Sequence, residues 1–299
     1  MKNDYAENPF AAPTRQKLRG DYDNMQADYT VEQNYDYTDE EQARWRSLYD
    51  RQMKILPNYA AEEFIEGLQA LGVQDAVPRL EKMSDILKQK TGWTLVAVPG
   101  LIPNDVFFRH LANRRFPICR WLRRADEMDY LVEPDIFHDF FGHVPLLSNP
   151  VFADYMAEYG RQGEIAIGLG ADHILARLYW YMAEFGLIST PNGLRAFGAG
   201  MLSSSGETVY SVESPQPNRV RFDVERVMGT SYMVDDYQKT YFVIESYGEL
   251  FNAAQQDFGP IYRRILDHER NSAPYDPEFV LPHDDILTVG QWNGMDVLS

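Results

Sequence analysis

The sequence predicts a mainly α-helical domain with a few short β-strands, and three observations point there. Apolar residues recur at helical spacing along much of the chain. Several of these runs open or close on residues that start or stop helices. The β-like runs are few and short, and there is neither an internal repeat nor a sustained heptad.

Taken in order, residues 1–37 are rich in Asp, Asn, Tyr and Gln and lack sustained periodicity, so a mobile or loosely draped arm is expected. Order should begin at Thr38, because Thr38-Asp-Glu-Glu41 has the form of a capping box. Trp45, Leu48, Tyr49, Met53 and Leu56 then share one helical face. Further helices are expected from about Ala60 to Leu71 and from Val77 to Gln89, with Gly72 and Gly92 as C-terminal stops. Trp93 to Val98 reads as a strand entering the turn Pro99-Gly100, and Asn104 as the cap of a helix through Phe107, Phe108 and Leu111. Pro134 opens another helix, and a longer one runs from about Asp172 to Phe185, stopped by Gly186. Gly- and Ser-rich loops are expected over Gly198 to Gly206, β-like runs at Thr208–Val212 and Tyr241–Ile244, and a last helix around Tyr247–Leu266. Residues 270–299 read as a polar surface tail, which leaves 38–269 as one catalytic domain undivided by any Gly/Ser- or Pro-rich linker.

With 299 residues, 44% hydrophobic and 13% aromatic, the chain can bury one large core. Its net charge of −17 would be repelled by nucleic acid and by anionic membranes, so neither is an expected partner. Cys119 is the single cysteine, which excludes an internal disulfide and any multi-cysteine metal site. No segment approaches the roughly 20 apolar residues that span a bilayer, and the N-terminus lacks an apolar leader core, so a cytoplasmic protein is expected.

The chemistry concentrates in Glu133-Pro-Asp-Ile-Phe-His138-Asp-Phe-Phe-Gly-His143-Val-Pro145. On an α-helix, positions five apart lie roughly 140° from each other, so His138 and His143 could not face one metal from an unbroken helix. A helix ending at Gly142 would free His143 to swing to the same side. The zinc-protease pattern HExxH spaces its histidines differently and does not fit. Two histidines in an apolar stretch can also be core residues satisfied by backbone partners. Glu184, among the aromatic neighbours of Leu178-Tyr-Trp-Tyr-Met-Ala-Glu184-Phe-Gly186, is the best third ligand, because a carboxylate there is costly to bury unpaired. Its alternative is an exposed Glu on the outer helix face. Two His and one carboxylate form the facial triad of non-haem Fe(II) oxygenases, and the same set serves hydrolytic zinc. The residue types alone do not separate the two.

Residues 134–145 resemble the iron-binding signature of the pterin-dependent aromatic amino acid hydroxylases. Val98-Pro-Gly-Leu-Ile102, Leu178-Tyr-Trp180, Glu184-Phe-Gly186 and Gly198-Ala-Gly-Met-Leu-Ser-Ser204 resemble further blocks of that family in the same order, across roughly residues 40–265. The resemblance implies one catalytic domain of that family's type, with Fe(II) on His138, His143 and Glu184. It implies a tetrahydropterin (tetrahydrobiopterin or similar) against Gly100, Leu101, Ile102 and Phe107, and O₂ as co-substrate. Asp139 and Tyr179 would lie close to iron and pterin. Arg123 would bind the carboxylate of the amino acid, with Trp180 and Ser203 in its pocket. The implied reaction converts L-phenylalanine to L-tyrosine; tryptophan or tyrosine as substrate, or zinc hydrolysis at the same triad, are the alternatives. Longer members carry a regulatory domain and a tetramerising helix for which this chain has no room, so a monomer is expected.

Overall fold

The computed structural model describes residues 19–20, 22–128, 131, 133–234 and 236–291. Positions 1–18 and 21 of the expected arm, and 292–299 of the expected tail, lie outside the described residues.

Helix α1 (Asp39–Met53) starts on the capping box: Thr38 Oγ1 accepts from Glu41 N, and the Glu41 carboxylate accepts from Thr38 N at 2.8 Å. A short α2 (Leu56–Tyr59) leads to α3 (Glu62–Leu71) and α4 (Leu80–Thr91), which end at Gly72 and Gly92 as the sequence suggests. Strand β1 (Thr94–Val98) pairs in parallel with β2 (Arg115–Cys119), and α5 (Asn104–Ala112) provides the crossover that parallel strands require. The cap position of α5 is Pro103, whereas the Asn104 side chain donates to Asp172 Oδ2 at 2.7 Å. That amide is thus spent on a tertiary contact that sequence position does not show.

The 20-residue α6 (Pro150–Leu169) has no counterpart among the sequence expectations. Glycines at 160, 163 and 168 weaken its helical signal. Gly160 is there for packing: a Cβ would come within 2.3 Å of Ala112 N, where α5 crosses α6. After α7 (Asp172–Leu178) the chain enters a five-stranded sheet, ordered β4 (Gly193–Ala196), β3 (Leu187–Thr190), β6 (Thr240–Ile244), β5 (Asn218–Arg221) and β7 (Ile286–Thr288). The central pairs β3–β6 and β5–β6 are parallel, with Leu187 opposite Val243 and Val220 opposite Phe242; the outer pairs are antiparallel.

Two expectations are corrected between these strands. Residues 198–206 are not a continuous loop but include α8 (Ala199–Leu202), and the β-like run at Thr208–Val212 lies in α9 (Ser205–Glu213). Thr208 is accommodated there because its hydroxyl reaches Met201 O and Ser204 O, at 2.6 and 2.7 Å. Beyond α10 (Val224–Met228), the expected final helix is divided into α11 (Tyr247–Ala254) and α12 (Gly259–Glu269). Gln162 of α6 donates to Ala254 O and Gln256 O and so satisfies the carbonyls at the break. One aromatic-rich core, with Trp45, Phe64, Phe137, Phe140 and Phe141 fully buried, backs the segment that carries both candidate histidines. Among the described residues, no helix is long and apolar enough to cross a membrane.

Candidate metal centre

His138 and His143 both lie in a π-helix, Phe137–His143, which corrects the expectation of a helix stopping at Gly142. The i→i+5 bonding of a π-helix widens the turn, so residues five apart return to about the same face. A wide turn thus accomplishes what a break was expected to do. Gly142 is needed for a close approach rather than for a stop: a Cβ there would lie 2.9 Å from the Ala199 carbonyl oxygen. The third donor comes from a second π-helix, Tyr179–Glu184, closed by Phe185 N donating to Trp180 O at 3.0 Å. α8 is wedged between the two: a Cβ on Gly198 would sit 2.3 Å from Glu184 O, so only a bare backbone fits. The small-residue block at 198–200 therefore sets the distance between the histidine segment and the glutamate segment.

The three donors converge. His143 Nε2 lies 3.1 Å from Glu184 Oε1, His138 Nε2 lies 3.5 Å from Glu184 Oε2, and the two Nε2 atoms are 3.4 Å apart. Donors about 2.1 Å from one cation, at octahedral or tetrahedral angles, stand about 3.0 to 3.4 Å from each other. The tautomers agree with this. The Ser203 hydroxyl donates to Ala199 O, leaving its oxygen to accept from His138 Nδ1 at 3.1 Å, and His143 Nδ1 faces the Tyr179 hydroxyl at 3.5 Å. Both rings then offer an Nε2 lone pair to the centre, and two lone pairs facing each other at 3.4 Å call for a cation between them. Burial pushes the Glu184 carboxyl up, but the two imidazoles outweigh it and hold the group well below the usual carboxylate range. The side chains of His143 and Glu184 are 6% and 11% exposed against 20% for His138, which leaves the centre open on that side. The arrangement fits a divalent metal with positions free for other ligands.

Around the centre, Asp139 accepts from Cys119 N at 2.8 Å, and burial raises its carboxyl above the ordinary range. Cys119 is itself buried, as expected of a small apolar side chain. Tyr179 connects the metal to the flat wall, since its ring meets Phe107 edge to face at 5.3 Å. Ile102 packs with Val98 and Val106 behind Phe107, and Gly100 and Leu101 precede it in the loop between β1 and α5. Tyr22 from the N-terminal segment donates to Leu101 O at 3.0 Å. Glu133 Oε2, a buried oxygen with no hydrogen-bond partner among the described residues, lies on the same side near Gly100. A planar heterocycle bearing N–H donors fits such a wall.

Arg123 is not a solvated member of its basic run: it is 5% exposed. Nε and Nη2 donate to Asp135 at 2.8 Å each, and Nη1 makes no hydrogen bond among the described residues. Asp135, fully buried, also accepts from His138 N at 3.0 Å, so one carboxylate ties the guanidinium to the metal ligand. The sequence reading passed over Asp135; its place three residues before His138 in a buried turn was the available signal. Trp180 is half-buried, stacks on Tyr232 at 4.6 Å and donates from Nε1 to Gln238 Oε1 at 3.2 Å. The structure thus gathers the three donors with Asp139, Tyr179 and Ser203 and sets Phe107 against Tyr179. Arg123 is linked to His138 through Asp135, while Trp180 shares the Glu184 helix.

A family described as biopterin-dependent aromatic amino acid hydroxylase matches residues 5–271. Phenylalanine-4-hydroxylase of Chromobacterium violaceum is 53% identical over 269 residues, covering 89% of each chain. The Ralstonia nicotianae phenylalanine-4-hydroxylase is 55% identical over 247 residues, covering 82% of this chain and 79% of its own. A crystal structure of the C. violaceum phenylalanine hydroxylase bound to cobalt superposes with a TM-score of 0.85 at 53% identity, over 88% of this chain and 95% of that one.

Proposed function

The chain belongs to the biopterin-dependent aromatic amino acid hydroxylases, and we infer from its relatives and its site together that it converts L-phenylalanine to L-tyrosine. It is a monooxygenase that uses O₂ and a tetrahydropterin at a non-haem iron on His138, His143 and Glu184. The observation that carries this reading is the convergence of those donors, with both Nδ1 atoms already engaged by Ser203 and Tyr179. Bound there, iron and the reduced pterin would supply the activation of O₂ that ring hydroxylation needs.

The chain's own residues bind, orient and exclude water. Phe107 offers a stacking face for the pterin, and Gly100, Leu101 and Ile102 line its edge; the unpartnered Glu133 oxygen beside them supports this assignment. Asp139 and Tyr179 stand beside the metal site without being ligands: Asp139 follows His138 in the chain, and Tyr179 sets its hydroxyl by His143 Nδ1 and its ring against Phe107. Arg123, held by Asp135, presents a preoriented guanidinium to the amino acid carboxylate. Trp180 and Ser203 flank the pocket, and Trp180 offers the substrate ring an aromatic face. Holding the ring in one orientation near the metal is the protein's main contribution to rate. The proposed catalytic domain spans 38–269, preceded by an arm over 1–37 and followed by a polar segment over 270–299 that returns to the sheet through β7. The protein acts as a cytoplasmic monomer.

The test is anaerobic reconstitution with Fe(II), followed by phenylalanine, a reduced pterin and O₂, scoring tyrosine while each component is omitted in turn. Tyrosine that needs all four is expected. Hydroxylation of tryptophan in its place would keep the chemistry and change the substrate. Turnover independent of O₂ and pterin would overturn the reading.

A further inference from the structure

A buried polar chain lies behind Trp180 and takes no part in metal or pterin binding. The indole N–H donates to Gln238 Oε1, which also accepts from Met233 N at 3.2 Å, while Gln238 Nε2 donates to Met233 O at 2.7 Å. Gln238 is 1% exposed, so its whole amide is committed. Its backbone N–H donates to Glu207 Oε1 at 3.1 Å, and the same oxygen accepts from the Tyr241 hydroxyl at 2.7 Å. Glu207 is 7% exposed on the first turn of α9, and Tyr241 is in the central strand β6. The polar chain therefore runs from the sheet, through Glu207 of α9 and Gln238, to the indole. Ser231 supplies a second anchor: its N–H donates to Tyr275 O and its carbonyl accepts from the Tyr181 hydroxyl. Between the two anchors, Tyr232 stacks on Trp180 with planes 23° apart.

We propose that Gln238 and Glu207 are positioning residues for the amino acid pocket: Gln238 holds the Trp180 indole by its N–H, and Glu207 holds Gln238 by its backbone, so that the indole turns its face to the substrate ring. The proposal rests on the assignment of Trp180 to that pocket. A buried indole N–H needs an acceptor, and a Trp ring free to rotate would satisfy it elsewhere or with water. Tyr232 covers one face of the indole and Gln238 fixes its N–H edge, which leaves one orientation. A carboxylate is a costly group to bury for this purpose, and burial pushes Glu207 up to about 7. Both donors at its Oε1 would lose their acceptor if the side chain were truncated.

A double-mutant cycle between Gln238→Ala and Trp180→Phe tests this, reading the phenylalanine KM, the pterin KM, kcat and the tyrosine formed per pterin oxidised. Trp180→Phe keeps an aromatic ring and removes the N–H. Each single change should raise the phenylalanine KM about five- to tenfold and lower the tyrosine yield, with the pterin KM within about twofold. The double variant should be no worse than the poorer single one, because both remove the same contact. Glu207→Ala should act in the same direction, and Glu207→Gln, which keeps an acceptor oxygen in place, should restore the KM to within about twofold. Multiplicative effects in the cycle, an equal rise in both KM values, or no rescue by Glu207→Gln would overturn the proposal. If Gln238→Ala does not fold, Trp180→Phe and the two Glu207 variants still decide it. Trp180→Ala separates the levels. If it leaves the phenylalanine KM unchanged, the pocket assignment has failed; if it raises the KM while Trp180→Phe and Gln238→Ala do not, only the positioning has failed.

Discussion

The three metal donors project from helical turns, whereas the wall assigned to the pterin is largely a loop, residues 99–103 between β1 and α5, joined by Phe107 near the start of α5. On the metal face each donor is held at a second point: His138 by Ser203, His143 by Tyr179, and Glu184 by the packing of Gly198 on its carbonyl. On the loop face the restraint comes from the N-terminal segment. Tyr22 bonds Leu101 O, Val31 N donates to Ala97 O, His110 Nε2 meets Asp28 O, and Arg115 pairs with Asp28. The contrast suits the two cofactors. A metal is retained between turnovers, and its affinity depends on donors that cannot drift. A pterin is oxidised in each turnover and has to leave, which a loop under a peripheral segment permits more readily than a helix in the core.

Substitutions on the two faces should therefore separate iron content from pterin dependence. Glu184→Ala should have the largest effect: loss of a ligand should exceed the 10- to 100-fold typical of outer partners, so tyrosine formation should fall by at least about a hundredfold with iron lost on dialysis. Full activity with normal iron content would break the comparison at its centre. Asp135→Ala comes next. It leaves Arg123 buried without its partner and frees the His138 backbone N–H, at a cost of about 3–5 kcal/mol in chemical denaturation. A shift below about 1 kcal/mol would show that the pair is not the buried brace its geometry suggests.

Tyr22→Phe should be milder and confined to the loop face, with the pterin KM raised about two- to fivefold and iron content unchanged. A change in iron retention would mean that the two faces are coupled after all. A further effect, on stability alone, should be one of pH. Burial raises the Glu207 carboxyl from 4.5 to about 7, so the folded chain holds that proton more tightly than the unfolded chain does. Stability from this group is present below the unfolded pKa and is lost as pH rises through about 7. Glu207→Gln cannot titrate, so its thermal midpoint should fall less than the parent's between pH 5 and pH 8. Parallel curves would argue against a raised carboxyl.

The amino-acid sequence by itself determined the helix starts and stops at Thr38, Gly72 and Gly92 and the mainly helical class, because those signals are local. It also carried the family resemblance, since ordered blocks survive as strings of residues. The wide turns were not legible: five-residue spacing says only that an α-helix fails, and the choice between breaking and widening it depends on Ala199 packing against Gly142. Helix α6 stayed hidden because glycines weaken its signal, of which Gly160 and Gly163 serve contacts with α5. Thr208 reads as a strand residue until Met201 and Ser204 supply acceptors for its hydroxyl. Asp135 stands in the signature with no role of its own legible there, while Glu207 and Gln238 gain their roles from partners distant in the chain. The common reason is physical. Propensity and capping act over a few residues, whereas the desolvation of a buried polar group is resolved by whichever partner the fold brings to it.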